Sequence, residues 1–180
     1  MKRHSSMKKA KKIAVSAILS SLGVLMLYLG SVIELFDLTM AALASLIIIF
    51  AVIEMGGSVP WLIYGVTSLL SMLLLPNKFI ALMYLLFAGT YPIFKEKFER
   101  LHPVVSWVLK LSLFNTALIV VVLTSKYLLH IPDTGVDFEW LVFLVGNATF
   151  VLYDFAVTRI ITLYLLKIRA KLKLKNYFEN

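Results

Sequence analysis

Apolar residues in this chain run on for whole membrane-thicknesses, and polar ones gather in short breaks between the runs. Six such runs can be marked: Ile13–Ile33, Leu38–Ile53, Trp61–Leu75, Phe79–Phe94, Val104–Ser125 and Trp140–Leu166. Runs of this length are too long for strands and match the ~20 residues a helix needs to cross a bilayer. The breaks are chemically plain. Glu34 and Asp37 sit in a tight turn; Gly56, Gly57, Ser58 and Pro60 follow Glu54; Pro76-Asn77-Lys78 closes the third run. Gly and Pro punctuate helices strongly. A charged stretch from Lys95 to Pro103 and a longer loop from Lys126 to Glu139 complete the set. The second to fourth runs lie at or below the lower limit for crossing, so partly re-entrant segments are an alternative there.

The pattern predicts an all-α integral membrane protein, a bundle of six transmembrane helices forming a single domain. Residues 1–12 and 167–180 make basic tails, and 13–166 make the bundle. The first run is longer than a signal-peptide core, and no small-x-small site follows it, so it reads as a retained helix. No fixed-period repeat is visible. Composition agrees: 61% of the 180 residues are hydrophobic and mean hydropathy is +0.90, outside the range of soluble domains.

Charge gives the orientation. Of 18 basic residues, six precede the first run (Lys2 to Lys12), five follow the last (Lys167 to Lys175) and three lie in the 95–103 stretch. The opposite side holds Lys78 and Lys126 beside Glu34, Asp37, Asp133, Asp137 and Glu139. Basic residues collect on the cytoplasmic side, which puts both termini in the cytoplasm of a multi-pass cell-membrane protein. The formal charge of +8 is therefore read as contact with anionic lipid at the tails. No aromatic residues interleave with it as in a nucleic-acid patch.

Polar residues inside the runs are the candidate sites. Asn147, Asp154 and Arg159 interrupt the last run and Lys110 the fifth. A charge at depth must have a partner or face water. Asn147 and Asp154 are two turns apart and share a face, which must look into the bundle. Lys110, Asp154 and Arg159 form a candidate intramembrane charge network. It is either an interhelical lock or the lining of a solvated cavity. Asn115 and Asn147 lie higher, under the 126–139 loop, with Tyr127, Phe138 and Trp140 as aromatic neighbours. They are either interhelical hydrogen bonds and an interfacial belt or the walls of a ligand pocket. Ala10, Ala14, Ala17 and Ser21 give the first helix small residues at four-residue spacing, a face that allows close helix approach in lipid.

Other chemistry is missing from the sequence. There is no Cys, and the three His are scattered, so neither thiolate chemistry nor a metal site is expected. No phosphate-binding, zinc-protease or nucleophile-elbow motif occurs. The chain reads as non-enzymatic, without a cofactor.

The basic start leading into Lys12-Ile13-Ala14-Val15-Ser16-Ala17-Ile18-Leu19 resembles the S components of energy-coupling factor (ECF) vitamin transporters. So does the last helix, with Gly146-Asn147-Ala148-Thr149-Phe150, Tyr153-Asp154, Arg159 and a Lys/Arg tail. The likeness is in layout over nearly the whole chain, and its motifs are degenerate. It implies capture of a small vitamin-like molecule from outside, with Asn115, Asn147 and the 126–139 loop as pocket candidates. It also implies a shared T protein docking on Ala10, Ala14, Ala17 and Ser21, and separate ATPase subunits driving the cycle. The turn after the first helix is shorter than the loop that often lids the pocket in that family. A layout of similar size and span count belongs to MreD-like scaffolds of the cell-wall elongation machinery, which bind proteins and carry no cargo. A ligand-sized outer cavity would favour the first, and solid packing there the second.

Overall fold

The computed structural model describes the backbone of residues 2–127 and 138–169. Among these residues every regular element is helical. The long helix α1 (Lys2–Val32) ends at a single 3-10 turn, Glu34–Phe36, and reverses into α2 (Asp37–Glu54). Asp37 starts α2 with its own carboxylate accepting from the Leu38 amide at 2.6 Å, where a negative charge also meets the helix dipole favourably. Gly56 and Gly57 close α2 at φ +58° and +59°. That left-handed backbone favours glycine and lets the Gly56 amide reach back to the Ala51 carbonyl at 3.0 Å.

Helix α3 (Val59–Leu74) opens with Pro60 in its first turn and stops in extended backbone at Leu75, before Pro76. The Lys78 ammonium then caps its free carbonyls at Met72 and Leu75, both at 2.8 Å. Next come α4 (Lys78–Met83), a wide turn over Tyr84–Ala88, and α5 (Tyr91–Phe98). Pro92 lacks an amide hydrogen and cannot continue the ladder. The carbonyls left open where the helix breaks at Gly89 and Thr90 are taken by side chains: Tyr64 Oη donates to Leu85 O at 2.8 Å, and Thr90 Oγ1 to Leu86 O and Phe87 O at 3.0 and 3.2 Å. Helices α6 (Pro103–Tyr127) and α7 (Phe138–Leu163) follow, α7 running on through a second wide turn, Tyr164–Ile168.

Five stretches are long and apolar enough to cross a membrane: 10–32, α2, 78–98 (α4 through α5), 103–124 and 140–167. Helix α3 is apolar but has 16 residues. The fourth run therefore does not stop at Phe94. It continues to Phe98 and carries Lys95 inside the helix.

Large apolar side chains such as Leu73 and Leu144, each 70% exposed, face outward, whereas Ser45, Ser71, Lys95, Lys110 and Asp154 are buried. Polar inside and apolar outside is the arrangement lipid demands. Two cores fill the interior. One joins α1 to α4 around Leu27, Ala44, Ile48, Ile63 and Ile80. The other is aromatic and ties α6 and α7 to the 84–98 segment, with Phe114 stacked on Phe150 at 4.7 Å and Phe87 edge-on to Phe114 at 5.1 Å.

At Gly30 the helices meet so closely that an added Cβ would lie 2.7 Å from Met40 Cβ and 2.8 Å from Ile80 Cδ1. Gly30→Ala is therefore expected to destabilise the bundle by about 1–3 kcal/mol, read as a lower thermal midpoint in detergent. An unchanged midpoint would mean that α1 and α2 pack less tightly than these contacts indicate.

Candidate functional site

The charged residues meet where α5, α6 and α7 converge. Tyr91 and Lys95 are four residues apart on α5, Glu99 lies one turn further on, and all three project to the same side. Lys110 comes from two turns into α6, and Asp154 from the inner face of α7. Asp154 Oδ1 accepts from Tyr91 Oη and from Lys95 Nζ, and Lys110 Nζ reaches Oδ2 at 3.1 Å and Oδ1 at 3.3 Å. Lys95 also donates to Thr158 Oγ1 at 2.9 Å. Glu99 closes the ring, 2.7 Å from Lys95 and 3.2 Å from Lys110. Side-chain exposure is 2% for Lys95, 6% for Lys110 and 5% for Asp154, against 43% for Glu99. Two ammoniums and two carboxylates balance, and of these four charged side chains Glu99 is the exposed one. Such a cluster is tolerable in a low-dielectric interior because each charge has its counter-charge and further hydrogen bonds.

The expected network of Lys110, Asp154 and Arg159 is thus corrected in composition. Lys110 and Asp154 meet, Lys95, Tyr91 and Glu99 join them, and Arg159 lies exposed outside the ring. The reason is angular: five residues on a helix turn ~500°, which points Arg159 well away from Asp154. Lys95 went unseen because the first charge after Phe94 was read as the end of a span. Its signal was Tyr91, Lys95 and Glu99 repeating at four residues.

A second polar clasp holds the far end of α7. Glu54, its side chain 1% exposed at the end of α2, pairs with Arg169 at 3.1 Å and accepts from Tyr164 Oη at 3.0 Å. Just before Asp154 on α7, the Tyr153 and Ser45 hydroxyls bond at 2.6 Å and tie α7 to α2. Glu54 had been read only as part of a loop break.

The pocket candidates divide. Asn115 and Asn147 face each other across α6 and α7 in a reciprocal pair, at 2.9 and 3.0 Å. Each Nδ2 also donates to a carbonyl one turn back in its own helix, Leu111 and Phe143, at 2.9 and 2.8 Å. Both amides are spent on the interface. Gly146 packs beside them, so that a Cβ there would meet Leu118 Cδ2 at 3.3 Å. Trp140 does not turn toward the pair but is 85% exposed, as an interfacial aromatic would be. The side chains of Tyr127 and Phe138, and residues 128–137, lie outside the described residues, as do Lys171, Lys173 and Lys175.

On α1, Ala10, Ala14, Ala17 and Ser21 are all exposed, and the helix turns Ser16, Ser20, Leu27 and Ser31 into the bundle instead. Among the described residues, no three His, Asp or Glu side chains gather in a metal-holding group.

Comparison with known proteins gives no match, whether to a family profile, to a characterised protein sequence or to a solved structure.

Proposed function

We propose that the chain is a six-span protein of the cell membrane, α3 included, with both termini cytoplasmic, and that it acts by binding partner proteins in the bilayer, as MreD-like scaffolds do. One observation carries the choice between partner and cargo. The Asn115–Asn147 amides are closed on each other, and beside them Gly146 packs against Leu118 and Phe114, whose ring stacks on Phe150. A ligand pocket needs convergent polar groups with unspent bonds, and here they are spent. The charge ring likewise has all of its ammoniums and carboxylates engaged. Fourteen of the chain's basic residues on the two tails and the 95–103 stretch support the orientation.

A second reading draws on the same outer surface of α1. The small-residue face of α1 is free, as an ECF-type S component would need for its T protein, with ATPases completing the importer and a vitamin-like molecule as cargo. Both readings use α1 for docking; they differ in whether a small molecule travels with the chain.

One experiment separates them: native mass spectrometry of the intact chain released gently from its own membranes, beside Ala17→Trp and Asn147→Leu. The scaffold reading expects a stoichiometric protein partner that Ala17→Trp removes, and no bound small molecule. A co-purifying species of a few hundred daltons that vanishes in Asn147→Leu would overturn it in favour of capture.

A further inference from the structure

Arg159 is a charged residue of α7 that the charge ring does not use. Its side chain is exposed and, among the described residues, takes part in no hydrogen bond or ion pair. Its level in the membrane can be fixed from two directions. Measured from exposed Trp140, Arg159 is nineteen residues along the helix, or ~29 Å at 1.5 Å per residue, close to the ~30 Å thickness of the hydrocarbon core. From the other side, its neighbour Thr158 binds Lys95, which binds Glu99, and Glu99 is 43% exposed. Arg159 therefore stands level with the charged Lys95–Arg100 segment, where hydrocarbon gives way to headgroups. The apolar stretch Trp140–Lys167 is 28 residues long, ~42 Å, so its last ~12 Å lies beyond the core, and the excess begins at Arg159.

The surroundings specify the occupant. Phe155, Ile160, Leu163 and Leu166 are 57%, 42%, 51% and 72% exposed, a surface of long side chains suited to acyl chains. Tight protein–protein packing in lipid favours small residues instead. Between Trp140 and Lys167 the one acidic residue is Asp154, which is buried on another face. Arg159 and exposed Lys167 thus leave this outer surface positive. A guanidinium at headgroup level presents a planar fork that matches two phosphate oxygens.

We propose that Arg159 is a lipid site that holds the phosphodiester of an anionic phospholipid in the leaflet at the Lys95–Arg100 end of the bundle, with the acyl chains lying along Phe155 and Leu163. This site is separate from the basic tails and independent of which partner protein the chain binds.

The test uses the purified full chain in detergent, titrated with dioleoylphosphatidylglycerol or dioleoylphosphatidylcholine, with bound lipid counted by native mass spectrometry. The wild type should retain phosphatidylglycerol in preference to phosphatidylcholine, and Arg159→Gln should weaken that retention about tenfold. Because the Arg159 side chain makes no hydrogen bond or ion pair among the described residues, the lipid-free thermal midpoint of Arg159→Gln should equal that of the wild type. A variant with Lys171, Lys173 and Lys175 changed to Gln should keep the Arg159-dependent difference, which separates this site from the tail. Equal phosphatidylglycerol retention in Arg159→Gln would overturn the proposal. So would displacement of the lipid by millimolar inorganic phosphate, which would indicate a free-anion site. Loss of a protein subunit in Arg159→Gln with lipid binding unchanged would also overturn it.

Discussion

Asp154→Asn is expected to lower the stability of the protein by about 3–5 kcal/mol, the cost of breaking a buried ion pair by removing one partner. The substitution is almost isosteric, so no cavity or clash accounts for the loss. What changes is charge: Lys95 and Lys110, with side chains 2% and 6% exposed, would face each other with only half-exposed Glu99 between them. One former carboxylate oxygen would become a donor pointed at Tyr91 or an ammonium, which also donate. The effect should appear as a fall in thermal midpoint in detergent and as early protease cleavage of α7. Helix α7 is the element to loosen because only 17% of its membrane window is buried, against 56% for the 78–98 segment. The polar clasps and the Phe150 aromatic stack are what keep it in the bundle. A midpoint within a degree of the wild type would show that the ring contributes nothing to the fold.

The clasps also show where the sequence could be read and where it could not. Run lengths and Gly/Pro breaks placed the helices, because lipid forces the backbone to satisfy itself within each span. The two-turn spacing of Asn147 and Asp154 put both on the inward face, where the one meets Asn115 and the other Lys110. Depth alone misled. Arg159 was grouped with Asp154 by height along α7, although the five-residue spacing already turned it away. Lys95 falls in a loop by hydropathy, which drops at the first charge, whereas the helix continues while its charges have partners inside. Nothing in the pattern foretold that Glu54 would be enclosed by Tyr164 and Arg169, since those partners lie 110 and 115 residues away in the chain. The wide turn at Tyr84–Ala88 was equally hidden. It depends on Tyr64 and Thr90 taking the carbonyls left open where the helix breaks at Gly89 and Thr90, a tertiary arrangement that periodicity does not record.

Whether the ring serves only the fold can be decided by replacing it whole. The triple variant Lys95→Met, Lys110→Met, Asp154→Leu removes the three buried charges together and leaves side chains of similar volume. Such replacements are often neutral or stabilising by about 1–4 kcal/mol, because the desolvation of each ion no longer has to be offset. Glu99, 43% exposed, can turn to water once its ammonium partners are gone, and Tyr91, whose buried hydroxyl would lose its acceptor, is changed to Phe in the same background and keeps its ring contacts with Phe87 and Phe150. The combined variant is therefore expected to melt at or above the wild-type temperature, while Lys95→Met alone melts several degrees below it. Partner binding by the combined variant then carries the decision. A stable protein that still assembles with its membrane partner makes the ring an interhelical lock and nothing more. A stable protein that no longer assembles or works would mean that these charges act beyond the fold, and that Glu99 marks the way they meet the aqueous side.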